Sequence, residues 1–533
     1  MNDFVWYGAI LLGLLVTFLL RLLPGILWPR PLADMGYHLL LCREIRRAHW
    51  RVPLKLDALM LDKRQTYPWL YHWLLAFLPQ SLLLRVAALP SAIIDTLHAL
   101  LVFGWATWLA TTVYPQGQPF AIGLLAMLLF STSPALLAVG LGPRAYDITP
   151  RPFGELIYSM VMISAAFYLH NDGAIWAGVV AILSASLLLL SSKFAAQVLL
   201  FCVPIMAGLT REWLLLSLLP LAVVGALLLS GGRYWWMLTG QIAHLRLYRN
   251  RLQYDHPGLQ LRNQSIKLWR TVQAFVRSGL RDTGLRAELI RLIEANVYLQ
   301  FFSRNVLWIG VILFILLGVF PAWQDDESGW YMWLLSWSVA PIFPFMLTAF
   351  KDFRFLGEAE RYPEYAILPV AVLGAFGIGA MPFEVIRGLL FTYGLLTIAM
   401  LAYYLFRRRW QSSRVRQPKH LTELQEFVKD YPQDTVILGV PMPQVTFALA
   451  YQVPQRFLMA MDTLVWFDDY DKLFHKYPWP SLDFHWWRDE HGVQLLIVEE
   501  RWLSTKLGCE WTYDFTSFQE VFRNDAYRVY QTT

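Results

Sequence analysis

The sequence predicts a mainly α protein: a polytopic membrane helix bundle of about eleven spans, followed by a small C-terminal soluble α/β domain. Three observations predict it. Of the 533 residues 56% are hydrophobic, 15% aromatic and only 16% charged, with mean hydropathy +0.41, whereas soluble domains carry about 25% charged residues. The apolar residues also gather into runs long enough to cross a hydrocarbon core of about 30 Å. Finally, the composition changes abruptly past residue 406, where a basic linker, FRRRWQSSRVRQPKH, leads into short strand-like runs.

Hydropathy places the spans at roughly 4–27, 84–112, 118–139, 153–169, 174–190, 193–209, 212–230, 305–322, 330–350, 363–380 and 384–406. The first has no Lys or Arg ahead of its apolar core and no small-residue cleavage site, so it reads as a retained span rather than a signal peptide. The breaks around 191–193 and 210–212 are short, which leaves the count uncertain by about one. No repeat at a fixed period is visible. The three cysteines, Cys42, Cys202 and Cys509, form neither a disulfide framework nor a metal spacing.

The parity of these spans collects the long polar loops 28–67, 140–152, 231–304 and 351–362 on one face, and leaves only short links on the other. The segment GRYWWMLTGQIAHLRLYRN onward has amphipathic spacing with Trp and Arg, which predicts an interfacial helix pair lying on the membrane surface. The sequon at Asn263 reads as chance. After the last span, residues 407–420 form the basic linker and 421–533 the soluble domain. There PQDTVILGVPMPQVTFALAYQVPQRFLMA and GVQLLIVEERW are short strand-like runs separated by polar, proline-bearing turns. No phosphate loop or dinucleotide fingerprint is present. Net charge +6 and pI near 9.0 suit a neighbour of anionic lipid without naming a ligand.

The most informative stretch follows the first span: PLADMGYHLLLCREIRRAHWRVP (31–53), then TYPWLYHWLLAFLP (66–79). Tyr37 and His38 lie three and four residues after Asp34, so on a helix the three share one face. A carboxylate at the mouth of a membrane bundle is costly unless it has a task; read from position alone, Asp34 could equally cap a helix. Asp57 and Asp62 are weaker rivals in the same loop. The second loop, GPRAYDITPRPFGELIYS, supplies Arg144, Asp147, Arg151 and Glu155. The fourth, KDFRFLGEAERYPEYAILP, opens a span with Arg361 between Glu360 and Tyr362. Arg144 and Arg151 can meet a phosphate with bidentate geometry or snorkel at helix ends. Arg361 can do the former or pair with Glu358 or Glu364.

This first loop resembles that of the GT-C superfamily: an Asp after the first span, an amphipathic stretch, then a YPxLYHWL-like re-entry. Arg361-Tyr362-Pro363 resembles the RY-then-proline entry of late helices in several GT-C families. The architecture is similar to family 39-type transferases and oligosaccharyltransferase catalytic subunits. The resemblance implies a membrane glycosyltransferase that moves a sugar from a polyprenyl-phosphate- or diphosphate-linked donor to an extracytoplasmic glycan, lipid or protein acceptor. It implies Asp34 as catalytic general base, with Tyr37, His38, Arg144, Asp147, Arg151, Arg361 and Tyr362 binding substrate or phosphate. The chain departs from oligosaccharyltransferases at WWRD (486–489), where those carry a WWDYG-type motif. No cofactor is therefore named, and the divalent metal left open by the resemblance has no paired-acid motif behind it. Nucleic acid is not an expected partner.

The same resemblance implies a multi-pass protein of the plasma membrane, in the cell envelope, with its working face outside. The positive-inside rule pulls the other way, because Arg43, Arg46, Arg47, Arg51, Arg246, Arg249 and Arg251 all sit on the elaborated face. That rule is weak for long loops, and a phosphate site needs cations on either side of a membrane. Two rivals from other classes are a transporter or lipid flippase and a non-catalytic membrane scaffold. A transporter calls for acids within the spans, and most acids here lie at span ends or in loops.

Overall fold

The computed structural model describes residues 3–27, 34–56, 58–59, 64–113, 118–137, 148–171, 173–255, 262–319, 329–414, 418–442, 449–458, 470–476, 479–481, 483–500 and 514–532. The chain forms two compact units that do not follow chain order. One comprises Met1–Trp28, Ala88–Gly232 and Gly258–Arg409; the other comprises Pro29–Ala87, Arg233–Pro257 and Trp410–Thr533.

The first unit is helical. Among the described residues seven helices are long and apolar enough to cross a membrane, from Phe4–Leu27 to Glu384–Tyr403. The pair Val297–Arg304 and Val306–Leu316, bent by 74°, makes an eighth if it counts as one span. Eleven crossings are thus not confirmed. Helix Pro119–Thr132 has 14 residues, a rise of about 21 Å, and stops where Ser133 precedes Pro134, a position that disfavours helical backbone. Ile175–Ser191 and Trp213–Leu229 are also short of full length, and the latter opens as a 3₁₀ turn over Trp213–Ser217.

Ala359–Gly379 runs through the middle of this unit, 94% buried, whereas Glu384–Tyr403 is 6% buried and faces its surroundings. Trp330, Trp333 and Trp337 recur at helical spacing and are wholly buried. Trp108 meets Trp330 at 5.0 Å, and Trp105 meets Trp337 at 5.6 Å. The helices Leu89–Val113 and Pro119–Thr132 touch closely at Gly123, where a Cβ would stand 2.9 Å from the Phe103 carbonyl oxygen.

The carboxylate of Asp95 lies well inside the span Leu89–Thr112. Asp95 and Arg21 are both wholly buried and joined at 2.7 Å. Arg21 also donates to the Ser131 carbonyl at 3.0 Å. An intramembrane acid locked to an arginine is neutralised rather than offered to a transported ion.

The second unit is built on a five-stranded mixed sheet in the order β2 (Arg456–Leu458), β1 (Val436–Val440), β5 (Val493–Glu499), β7 (Tyr527–Gln531), β6 (Gln519–Arg523), while β3 (Phe474–Lys476) and β4 (Trp479–Pro480) pair with each other. β1 pairs in parallel with β2 and β5, and β7 runs antiparallel to β5 and β6. β1 is buried at all five positions and β5 at six of seven, as continuous apolar strands covered on both faces should be.

The sheet holds loop segments from far earlier in the chain. Ala58 accepts a hydrogen bond from the Phe457 amide at 2.8 Å, and Leu59 bridges to Phe457 as an added parallel residue beside β2. Arg43 donates to the carbonyls of Tyr451 at 2.7 Å and Ala450 at 3.0 Å. Leu247 and Leu252 complete the sheet's apolar core. The third loop is consequently shared. Helix Tyr234–Leu247 belongs to the sheet unit, and Ser265–Arg277 with Thr283–Glu294 to the helical one.

Candidate active site

Each unit carries one constellation of the residues singled out above. In the sheet unit, Asp34 is the first residue of helix Asp34–Arg47, and Arg46 and Arg47 occupy its last turn. Acid first and base last complements the helix dipole. Arg46 additionally donates to the carbonyls of Ala76, at 2.7 Å, and Leu78, closing the end of the 70–75 helix. The Asp34 side chain lies outside the described atoms, as do Asp57, Asp62, Arg144 and Asp147 altogether.

One turn into this helix, Tyr37 and His38 are buried. The Nδ1 of His38 is 2.7 Å from Nε2 of His72, the two rings stacked at 5.0 Å. Tyr67 packs on Tyr37 at 5.5 Å, on His38 at 5.9 Å and on His72 at 5.6 Å. Gln65 donates to the Tyr37 hydroxyl at 3.3 Å. The TYPWLYHW segment therefore supplies the partners of the MGYH segment. Burial pushes His38 down to about 4. His72 falls well below the usual imidazole range through burial first and its neighbour His38 second. The pair is neutral at pH 7, with one ring's N–H directed at the other's nitrogen.

This arrangement fixes an acid sensitivity. Below pH 6.5 the unfolded chain gains a proton on His38 that the folded chain refuses until about 4. Stability present above the unfolded value is therefore lost as pH falls through that window, by roughly 2 kcal/mol at pH 5. Thermal melts of detergent-purified protein between pH 7 and 5 should show this loss. In a His38→Gln/His72→Gln double variant the slope should flatten. An unchanged slope there would remove the pair as its source.

In the helical unit, Arg151 begins helix Arg151–His170 and is buried. A cation at a helix N-terminus opposes the dipole, and Glu358 compensates it at 3.6 Å. Glu358 also meets Arg262 at 3.5 Å and pairs with Arg361. Arg262 reaches on to Glu360 at 3.0 Å, while Arg354 donates to the Arg262 carbonyl at 2.6 Å. Three guanidinium groups thus share one carboxylate. The Arg361 guanidinium stands 5.8 Å from the Phe194 ring centre. Tyr362 is fully buried, packed on Phe194 at 4.8 Å and donating to the Leu356 carbonyl at 3.2 Å.

The structure accordingly groups Tyr37 with His38, and Arg151 with Arg361 and Tyr362. The sequence did not nominate His72, Tyr67 or Arg262. His72 and Tyr67 sat in the quoted re-entry motif, so the signal was present, whereas nothing local marks Arg262 as a partner of Glu358. Among the described residues no three His, Cys, Asp or Glu side chains come together as metal ligands.

No protein-family model and no curated protein sequence matches the chain. Among solved structures it is similar to ArnT from Cupriavidus metallidurans bound to undecaprenyl phosphate. That likeness has a TM-score of 0.55 at 12% identity over 98% of both chains. It is also similar to the Archaeoglobus fulgidus oligosaccharyltransferase in complex with zinc and sulfate, with a TM-score of 0.50 at 14% identity over 92% of this chain and 68% of that one. At such identities the likeness establishes the fold, and the expected GT-C architecture stands.

Proposed function

We propose that this protein is an integral membrane glycosyltransferase that takes a sugar from a polyprenyl-phosphate-linked donor and delivers it to an acceptor outside the cytoplasm. The observation that carries this reading is the end-to-end GT-C fold, shared over 98% of both chains with a protein bound to undecaprenyl phosphate. The cation-rich knot around Glu358 supports it. Three arginines converge on one carboxylate, Glu358, with Glu360 also bound to Arg262, and the adjoining N-terminus of helix Arg151–His170 supplies a dipole that favours an anion. In this reading Arg151 and Arg361, with Arg144, hold the donor phosphate and stabilise it as a leaving group. Asp34 is the general base for the acceptor, and Tyr37 and His38, with Asp147, line the acceptor side. Tyr362 positions Arg361 from beneath through Phe194.

The test is donor binding. Arg361→Ala should weaken binding of a polyprenyl phosphate by about 1.5–3 kcal/mol, the scale of a hydrogen bond to a charged group. Arg361→Lys should restore only part, because Lys lacks the bidentate fork. Glu358 keeps Arg151 and Arg262 in either variant, so the fold should persist. Binding equal to the parent's in both variants would reduce Arg361 to a partner of Glu358 and remove it from the donor site.

A further inference from the structure

The helix Ser265–Arg277 and the turn after it present a surface that the proposed chemistry does not use. Ile266, Trp269, Val276 and Leu280 are 73%, 63%, 60% and 61% exposed. With 3.6 residues per turn Ile266, Trp269 and Val276 fall on a single row, and Leu280 follows in the turn beyond the helix end. The opposite side turns inward, where Thr271 is buried. Arg270 and Arg277 lie beside the apolar row and Arg281 in the loop after the helix, all exposed, and no carboxylate among the described residues pairs with them. Over 265–294 six cations face three carboxylates, one of which, Glu288, is tied to Lys267 at 2.8 Å. That ion pair joins the helix to Thr283–Glu294, whose start is capped by Asp282 accepting from the Gly284 and Leu285 amides.

The root of this helix pair fixes its level. Asn263, at φ 54°, donates from its side-chain amide to the Ala349 carbonyl at 2.6 Å and accepts from the Val297 amide at 2.9 Å. Ala349 is the last residue of the candidate span Trp330–Ala349, and Val297 the first of the bent pair. The helix pair thus springs from the ends of two membrane segments. The Asn263 side-chain amide is thus engaged in this joint.

We infer that Ser265–Arg277 is an in-plane anchor that buries its apolar row at the acyl boundary and binds anionic lipid headgroups through Arg270, Arg277 and Arg281. An apolar row flanked by exposed arginines, held at the end of a span, matches the headgroup layer in both depth and charge. Each cation near an anionic surface adds about fivefold to partitioning. The inference needs only the membrane setting, and its test reads no glycosyl transfer.

Hydrogen exchange of the full chain, one copy per nanodisc, separates the outcomes. In discs of phosphatidylcholine with phosphatidylglycerol, amides of 265–294 should exchange about fivefold or more slowly than in phosphatidylcholine alone. The difference should vanish in an Arg270→Gln/Arg277→Gln/Arg281→Gln variant, while β1 and β5 exchange as in the parent. Trp269→Ser should raise exchange in both lipids. Equal protection of the parent in both discs, or an undiminished difference in the triple variant, would overturn the inference. Protection that appears only with two copies per disc would assign the face to a second chain instead.

Discussion

Replacing Asp34 by asparagine is expected to lower the transfer rate by about 10²- to 10⁴-fold, the usual contribution of a general base. Expression, melting temperature and donor binding should stay near those of the parent. The substitution is chosen to separate two roles for the first residue of helix Asp34–Arg47. Asn caps a helix as well as Asp does, so a capping role predicts little change in anything measured. Loss of the carboxylate removes the proton acceptor while nearly keeping shape and hydrogen bonding. The assay pairs purified protein with a defined polyprenyl-phosphate sugar. An Asp34→Asn protein that turns over at the parent's rate would sink the catalytic assignment.

The second large effect concerns stability. Arg21→Ala should cost about 3–5 kcal/mol, because it leaves Asp95 buried without its partner at 2.7 Å. Asp95→Asn should be damaging too, since the Arg21 guanidinium then lies wholly buried against neutral groups. A double replacement, Arg21→Met with Asp95→Leu, should recover most of the loss, as apolar residues of similar volume dispense with desolvating two ions. Unfolding in mixed micelles distinguishes these cases. Were the double variant as unstable as the singles, the pair would be needed for more than mutual neutralisation. A transporter using Asp95 as a relay predicts the reverse pattern for Asp95→Asn, with function lost and stability kept.

Much of the fold was legible in the sequence. Transfer of an apolar side chain into hydrocarbon is nearly a local and additive quantity, so composition alone defined a membrane bundle. The alternation of strand-like runs and turns likewise announced β1, β2 and β5. Counting crossings was harder, because run length does not reveal where a helix stops. Pro134 ends one helix at Thr132, and Asn305 bends another by 74°. Charge in the loops serves packing as well as topology. Arg43 and Arg46 counted towards a membrane sidedness signal, yet both are engaged with backbone carbonyls. Their charges report packing as much as topology.

The candidate site divides along the same line. By itself the sequence determined the fold class, the GT-C resemblance of the first loop, and the clustering of acids and arginines at span ends. Only the tertiary structure decided who partners whom. It brought His72 to His38 across 34 positions at 2.7 Å, made Glu358 the common partner of Arg151, Arg262 and Arg361, and drew residues 58–59 to Phe457 beside β2. The physical reason is range. Hydropathy and helix propensity act between residues near in sequence, whereas a hydrogen bond or ion pair depends on distances of a few ångströms that only the folded chain creates.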